Sequence, residues 1–117
     1  MASCVQRDDW CAVVGDRIRR VYQFLTDGDP WPVESVEAMV REKPSDADPA
    51  LVATCTALDE EAGVWAVEFD GSEGRGLVDG DTDWEGVFDI QVTEAGQSLP
   101  ETIVAGAFIL TPDVTRV

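Results

Sequence analysis

Five acidic residues in the latter half of the chain stand at odd-numbered positions: Asp79, Asp81, Asp83, Glu85 and, after a gap, Asp89. On an extended backbone, alternate side chains share one face about 6–7 Å apart. A row of carboxylates at that spacing resembles a phosphate backbone electrostatically and would suit the basic groove of a nucleic-acid-binding protein. Glu68, Asp70 and Glu73 extend the row from a neighbouring hairpin. These side chains form the candidate partner-binding surface. The alternative is a solvated acidic face, which is what most charge runs are.

The same stretch has part of a calcium-loop pattern. Asp81, Asp83, Glu85, Gly86 and Asp89 fall at the first, third, fifth, sixth and ninth places of a twelve-residue loop. The twelfth place, where a bidentate Glu belongs, is Val92, and strand-like patterning flanks the segment instead of helices. No metal site is therefore expected.

Other chemistry is missing. The chain has no histidine, which removes Ser-His-Asp and Cys-His catalysis and the commonest transition-metal ligand. Cys4, Cys11 and Cys55 form no CxxC pair, and Gly71 to Gly76 lacks the GK[ST] of a phosphate loop. Lys43, the one lysine, stands beside Pro44 in a polar segment unsuited to a desolvated nucleophile. The expectation is a non-enzyme without a cofactor. Trp31, between Pro30 and Pro32, is a loop tryptophan that could anchor an interface or tuck over the core edge. Arg17, Arg19 and Arg20 form the one basic cluster and are expected to pair with nearby acids.

The overall charge sets the wider question. Asp and Glu total 24 against 8 Lys and Arg, a net charge of −16. Solubility of a small domain needs a magnitude of only about 2–8. The excess is uneven: residues 1–58 hold 10 acids and 6 bases, and residues 59–117 hold 14 acids and 2 bases. Such a surface suits a basic partner, or else a salty solvent that screens it. It does not suit direct nucleic-acid or anionic-membrane binding. No secretory signal or apolar stretch of membrane-spanning length is evident, and an odd number of cysteines fits a reducing cytoplasm.

The 117 residues read as one acidic domain, with 44% hydrophobic residues to supply a core. In residues 6–25, Trp10, Val14, Ile18, Val21 and Leu25 recur at helical spacing. Val33, Val36, Met39 and Val40 suggest a second helix over 33–42, before the turn formers of 44–49. The remainder reads as strand. Residues 51–58 lean that way, and 64–70 alternate cleanly. A turn over 71–74 is followed by a short return at 76–79. Residues 82–92 alternate with Gly86 as a candidate bulge, and 102–110 resemble a central strand. The predicted architecture is α+β: two N-terminal helices packed on one face of a four- to five-stranded, mostly antiparallel sheet.

These readings lead to a non-catalytic acidic binding protein. The expected role is an inhibitor or nucleic-acid-mimic decoy that blocks a basic, nucleic-acid-binding partner, as a phage anti-defence protein or a toxin immunity protein would. The competing expectation is an accessory domain of a salt-adapted organism. Asp exceeding Glu by 14 to 10, and arginine in seven of eight basic positions, fit that as well.

Overall fold

The computed structural model describes residues 6–31, 33–78 and 82–112. Among them there is no α-helix; apart from one 3-10 turn over Gly71–Gly76, the regular elements are strands. The α+β expectation is therefore overturned, and both predicted N-terminal helices are strands. Residues 6–25 give β1 (Gln6–Arg7), β2 (Trp10–Val13) and β3 (Ile18–Gln23), and Leu25 opens β4 (Leu25–Thr26), which pairs with β5 (Asp29–Pro30). Residues 33–42 give β6 (Val33–Arg41).

The misreading has a physical cause. A spacing of four residues fits one helical turn, and it is also two strand repeats. Trp10, Val14 and Ile18 are all buried, but they bracket a turn at Gly15, whose φ of 93° lies in the left-handed region. Val21 and Leu25, the other members of the supposed stripe, are exposed. In β6 the inward residues are Val36, Ala38 and Val40, a period of two. Alanine at the middle position hides that alternation in the sequence.

The later strands follow the expected pattern more closely. They are β7 (Leu51–Val52), β8 (Thr54–Asp59), β9 (Val64–Phe69), β10 (Trp84–Glu94) and β11 (Glu101–Thr111). The short return at 76–79 does not form; the chain there closes the 3-10 turn, and Asp79 lies outside the described residues. Gly86 is not a bulge, since it pairs regularly with Phe108 and the register of β10 slips later, between Ile90 and Gln91. It is needed because a Cβ there would fall 2.6 Å from the Arg41 carbonyl oxygen.

Two sheets result. The larger has the order β1-β11-β10-β6-β7, with β2 also on β11, and the smaller has the order β3-β9-β8. The apolar faces assigned to helix packing cover each other instead. Trp65, Val67 and Phe69 come from the small sheet, and Phe88, Ile90, Phe108 and Leu110 from the large one. Trp10 joins them: its ring lies 5.4 Å from Phe69, 4.8 Å from Phe88 and 5.9 Å from Phe108, centroid to centroid. A sheet whose apolar face is met by a second sheet needs no helix. Among the described residues no helix is long and apolar enough to cross a membrane.

Strand direction assigns every connection to one of two ends. β11 runs parallel to β1 and β2; β10 runs against it, β6 against β10, and β7 against β6. β8 continues β7, β9 runs against β8, and β3 against β9. Residues 14–17, 42–50, 70–78 and 82–83 therefore lie at one end, here the upper. Residues 24–31, 59–63 and 94–101 do so at the other, the lower.

Candidate binding surfaces at the two ends

The described members of the predicted acidic row belong to the upper end, and only some of them share a face. Asp79 and Asp81 lie outside the described residues. Asp83 and Glu85 are exposed where β10 begins. Glu85 and Asp89 share the outer face of β10, with Val87 between them. Glu68 belongs to the other sheet, on β9; Asp70 follows that strand and is exposed, and Glu73 is exposed in the 3-10 turn. The candidate set is thus divided between two sheets and a turn instead of following a single extended backbone.

Two of these carboxylates already meet the chain's own arginines. Arg17 reaches Glu68 at 2.9 Å and Arg19 reaches the same oxygen at 3.6 Å. Arg41 lies 3.6 Å from Asp89. Burial pushes the Asp89 carboxyl above its ordinary value, and the Arg41 charge only partly offsets this. The expected pairing of the arginine cluster is observed: a helix would set Arg17 beside Arg20, but strand alternation places Arg17 and Arg19 on Glu68 and sends Arg20 to Asp8.

The calcium pattern does not become a loop. Residues 84–94 are one strand, so Glu85 and Asp89 stand about 13 Å apart along it, and Val92 is buried. Among the described residues no three Asp, Glu or Cys side chains converge as metal ligands.

Between the ends runs a seam. Among the described residues β3 is paired only with β9, so its opposite edge faces β1 and β2 without a ladder. A side-chain network closes the seam midway. Tyr22 donates to Asp8 at 2.5 Å, Trp10 Nε1 donates to the Tyr22 oxygen at 2.9 Å, and Arg20 donates to the other Asp8 oxygen at 2.7 Å. Arg20 also donates to the Asp9 carbonyl and lies 4.8 Å over the Trp10 ring. Asp9 in turn accepts from the Ala107 amide, fixing the β1–β2 junction to β11. Burial alone would raise the Asp8 pKa, but the hydrogen bonds from Tyr22 and Arg20 outweigh it and hold the carboxyl below its ordinary value. Burial and the Asp8 carboxylate both push the Tyr22 hydroxyl well above its usual range. A helix over 6–25 would hold Asp8 and Tyr22 about 21 Å apart, so their contact is not visible in that reading.

Towards the lower end the seam opens into a groove of about 730 Å³. Tyr22 and Trp31 supply aromatic surface, with the buried Phe24 behind them; Gln23 and Leu25 come from β3–β4, Arg7 from β1, and Glu94, Glu101 and Ile103 from β10 and β11. The Tyr22 and Phe24 rings are parallel within 3°, with centroids 6.1 Å apart. Trp31 is half-buried against the core edge, and its amide donates to the Phe24 carbonyl at 3.0 Å. Leu25 remains 47% exposed in the groove and Leu99 80% exposed in the adjacent connection, high values for leucine on so polar a surface.

The lower connections carry Asp27, Asp29, Asp59, Glu60, Glu61, Glu94 and Glu101, with no Lys or Arg in any of them. All are exposed except Glu94, which is half-buried. The chain matches no known family model and no curated protein. The functional reading therefore rests on this geometry.

Proposed function

We propose that this chain is a non-catalytic acidic binding domain whose partner is a basic protein, and that its task is to occupy a surface the partner uses for nucleic acid. The observation that carries this is the lower end, where three neighbouring connections bear acids and no base. Opposite charge steers encounter and raises association rates more than it deepens affinity. A decoy in phage anti-defence, or an immunity protein against a nuclease toxin, would gain from this.

Two further features support a binding role over a catalytic one. The groups with strongly perturbed surroundings, Asp8 and Tyr22, are hydrogen-bonded to each other and hold the sheets together. Among the described residues, the carboxylates at both ends lie on turns and strand faces, exposed or half-buried, and no three of them converge.

The test is competition. Labelled duplex DNA is bound to each of a panel of basic nucleases and DNA-binding proteins, and the folded chain is added in about 0.1 M salt, where screening extends over roughly 10 Å. The proposal expects displacement from at least one of them, fading steeply as salt rises. Absence of displacement from every member overturns the decoy reading.

A second reading has its own observation. Carboxylates occupy both ends of the molecule, as a surface adapted to a salty solvent would have them. That reading expects the melting temperature to climb markedly into molar salt, with poor cooperativity below it. The binding reading expects cooperative unfolding already at about 0.1 M.

A further inference from the structure

We propose that the open part of the seam is a docking groove for an extended segment of a partner protein that carries lysine or arginine beside apolar residues. The inference rests on the reading of the chain as a binder of basic proteins and deepens it by naming the site. The groove combines aromatic walls with an acidic rim. Tyr22, Phe24 and Trp31 line it, while Glu94 and Glu101 lie at the rim, where β10 ends and β11 begins. Among the described residues neither glutamate is paired with a base.

Charge complementarity selects the occupant. Lysine and arginine side chains are apolar along the stem and charged at the tip. Their stems suit ring faces and the exposed Leu25, which also attract the cation itself through the ring quadrupole. Their tips suit Glu94 and Glu101 through charge-assisted hydrogen bonds. Asp27, Asp29 and Asp59 to Glu61 belong to the same end and add long-range attraction. The one basic lining residue, Arg7, is engaged by Asp9 at 3.3 Å. An anionic ligand would meet repulsion from this surroundings, and a neutral apolar ligand would leave the rim unused.

The backbone favours an extended occupant. β1 pairs with β11 along one edge only, and the β3 edge opposite β9 is without a strand partner among the described residues. Strand edges bordering a groove are the setting in which extended peptides are held, with alternate side chains entering pockets. The Asp8–Tyr22–Arg20 network stops the groove at its inner end, so the peptide enters from the lower end.

The test uses a labelled eight-residue peptide, Lys-Leu-Lys-Ser-Lys-Leu-Lys-Ser, and its counterpart with glutamate for lysine. Binding is followed by anisotropy and by tryptophan emission in about 0.05 M salt. The lysine peptide is expected to bind and the glutamate peptide to fail. Glu94→Gln with Glu101→Gln should weaken binding by about tenfold, equivalent to 1.4 kcal/mol, and Trp31→Ala by a similar factor. Asp83→Asn with Glu85→Gln, at the upper end, should change it by less than about twofold. The glutamate pair is at the surface and serves even if Trp31→Ala fails to fold. If the peptide binds and the groove variants leave affinity unchanged, the groove assignment is overturned while the binding reading stands. If the lysine peptide does not bind the parent chain at all, the groove proposal is overturned, and the DNA competition decides the binding reading separately.

Discussion

At the upper end of the sandwich, carboxylates and arginines answer one another. Glu68 receives Arg17 and Arg19, and Asp89 receives Arg41. At the lower end, Asp27, Asp29, Asp59, Glu60, Glu61, Glu94 and Glu101 share their three connections with no base. Both ends are rich in acid, so amount does not distinguish them. The difference is whether the fold supplies the counter-charge. Exposed ion pairs such as those of Glu68 contribute modestly to stability. Uncompensated exposed acids repel one another, and nothing within the described residues offsets that. An external partner is the natural counter-charge for the lower end, whereas at the upper end Glu68 and Asp89 find theirs within the chain.

The sharpest way to break the contrast is to ask whether the two ends fold as one unit. Trp10 lies between the sheets and touches Phe69, Phe88 and Phe108, so Trp10→Ala should cost about 3–5 kcal/mol. Denaturant unfolding should shift its midpoint in a single transition. A second transition would mean that the ends are independent, and that their comparison concerns two bodies.

The seam network comes next. Asp8→Ala removes the acceptor of both Tyr22 and Arg20. The loss should be about 1–3 kcal/mol, nearer the lower figure because a third of Asp8 remains solvent-accessible. The pH dependence follows from the shifts. The Asp8 pKa is lowered from 3.8, so its contribution is present above that value and lost as pH falls through the lower folded value. The Tyr22 pKa is raised from 10.0, so its contribution is complete below that value and declines as pH rises above it. Thermal melts across pH should show both flanks in the parent chain and flatter ones in Asp8→Ala. Unchanged flanks would assign the pH dependence to other groups.

Single charges should have the smallest effects, with opposite signs for the paired Glu68 and for the lower-end acids. Glu68→Gln should lower stability by about 0.2–1 kcal/mol in low salt. Asp27→Asn with Glu60→Gln and Glu61→Gln should raise the melting temperature slightly, and the gain should disappear as salt is added. Asp89→Asn should be neutral or stabilising. The Asp89 pKa is raised from 3.8, so its protonated form is favoured on folding and the ionised form carries a burial cost at neutral pH. Equal responses at both ends would remove the distinction between paired and unpaired acid.

Much of the later half was readable because its strands alternate with large residues: Trp65, Val67 and Phe69 in β9, and Phe88, Ile90 and Val92 in β10. The first half was not readable in that way. Trp10, Val14 and Ile18 fit either period, and Ala38 concealed the alternation of β6. Gly15 was the available signal: a glycine in the middle of a supposed helix marked the turn between β2 and β3. The acidic surplus was also plain, but its place was not. Counting by sequence halves located it in residues 59–117, yet antiparallel strands return each half to both ends. Trp31, whose loop position suits either an interface anchor or a core-edge residue, is half-buried at the groove wall. Its neighbours there, Tyr22, Glu94 and Glu101, come from distant parts of the chain. Only the strand pairing brings them together.

The most direct measurement is a backbone amide chemical-shift map of the chain on titration with a lysine-rich peptide in about 0.05 M salt. Changes are predicted to concentrate at residues 22–31, 59–63 and 94–103, fading together as salt is raised. Changes centred on residues 68–70 and 83–89, or none anywhere while the chain remains folded, would contradict the account.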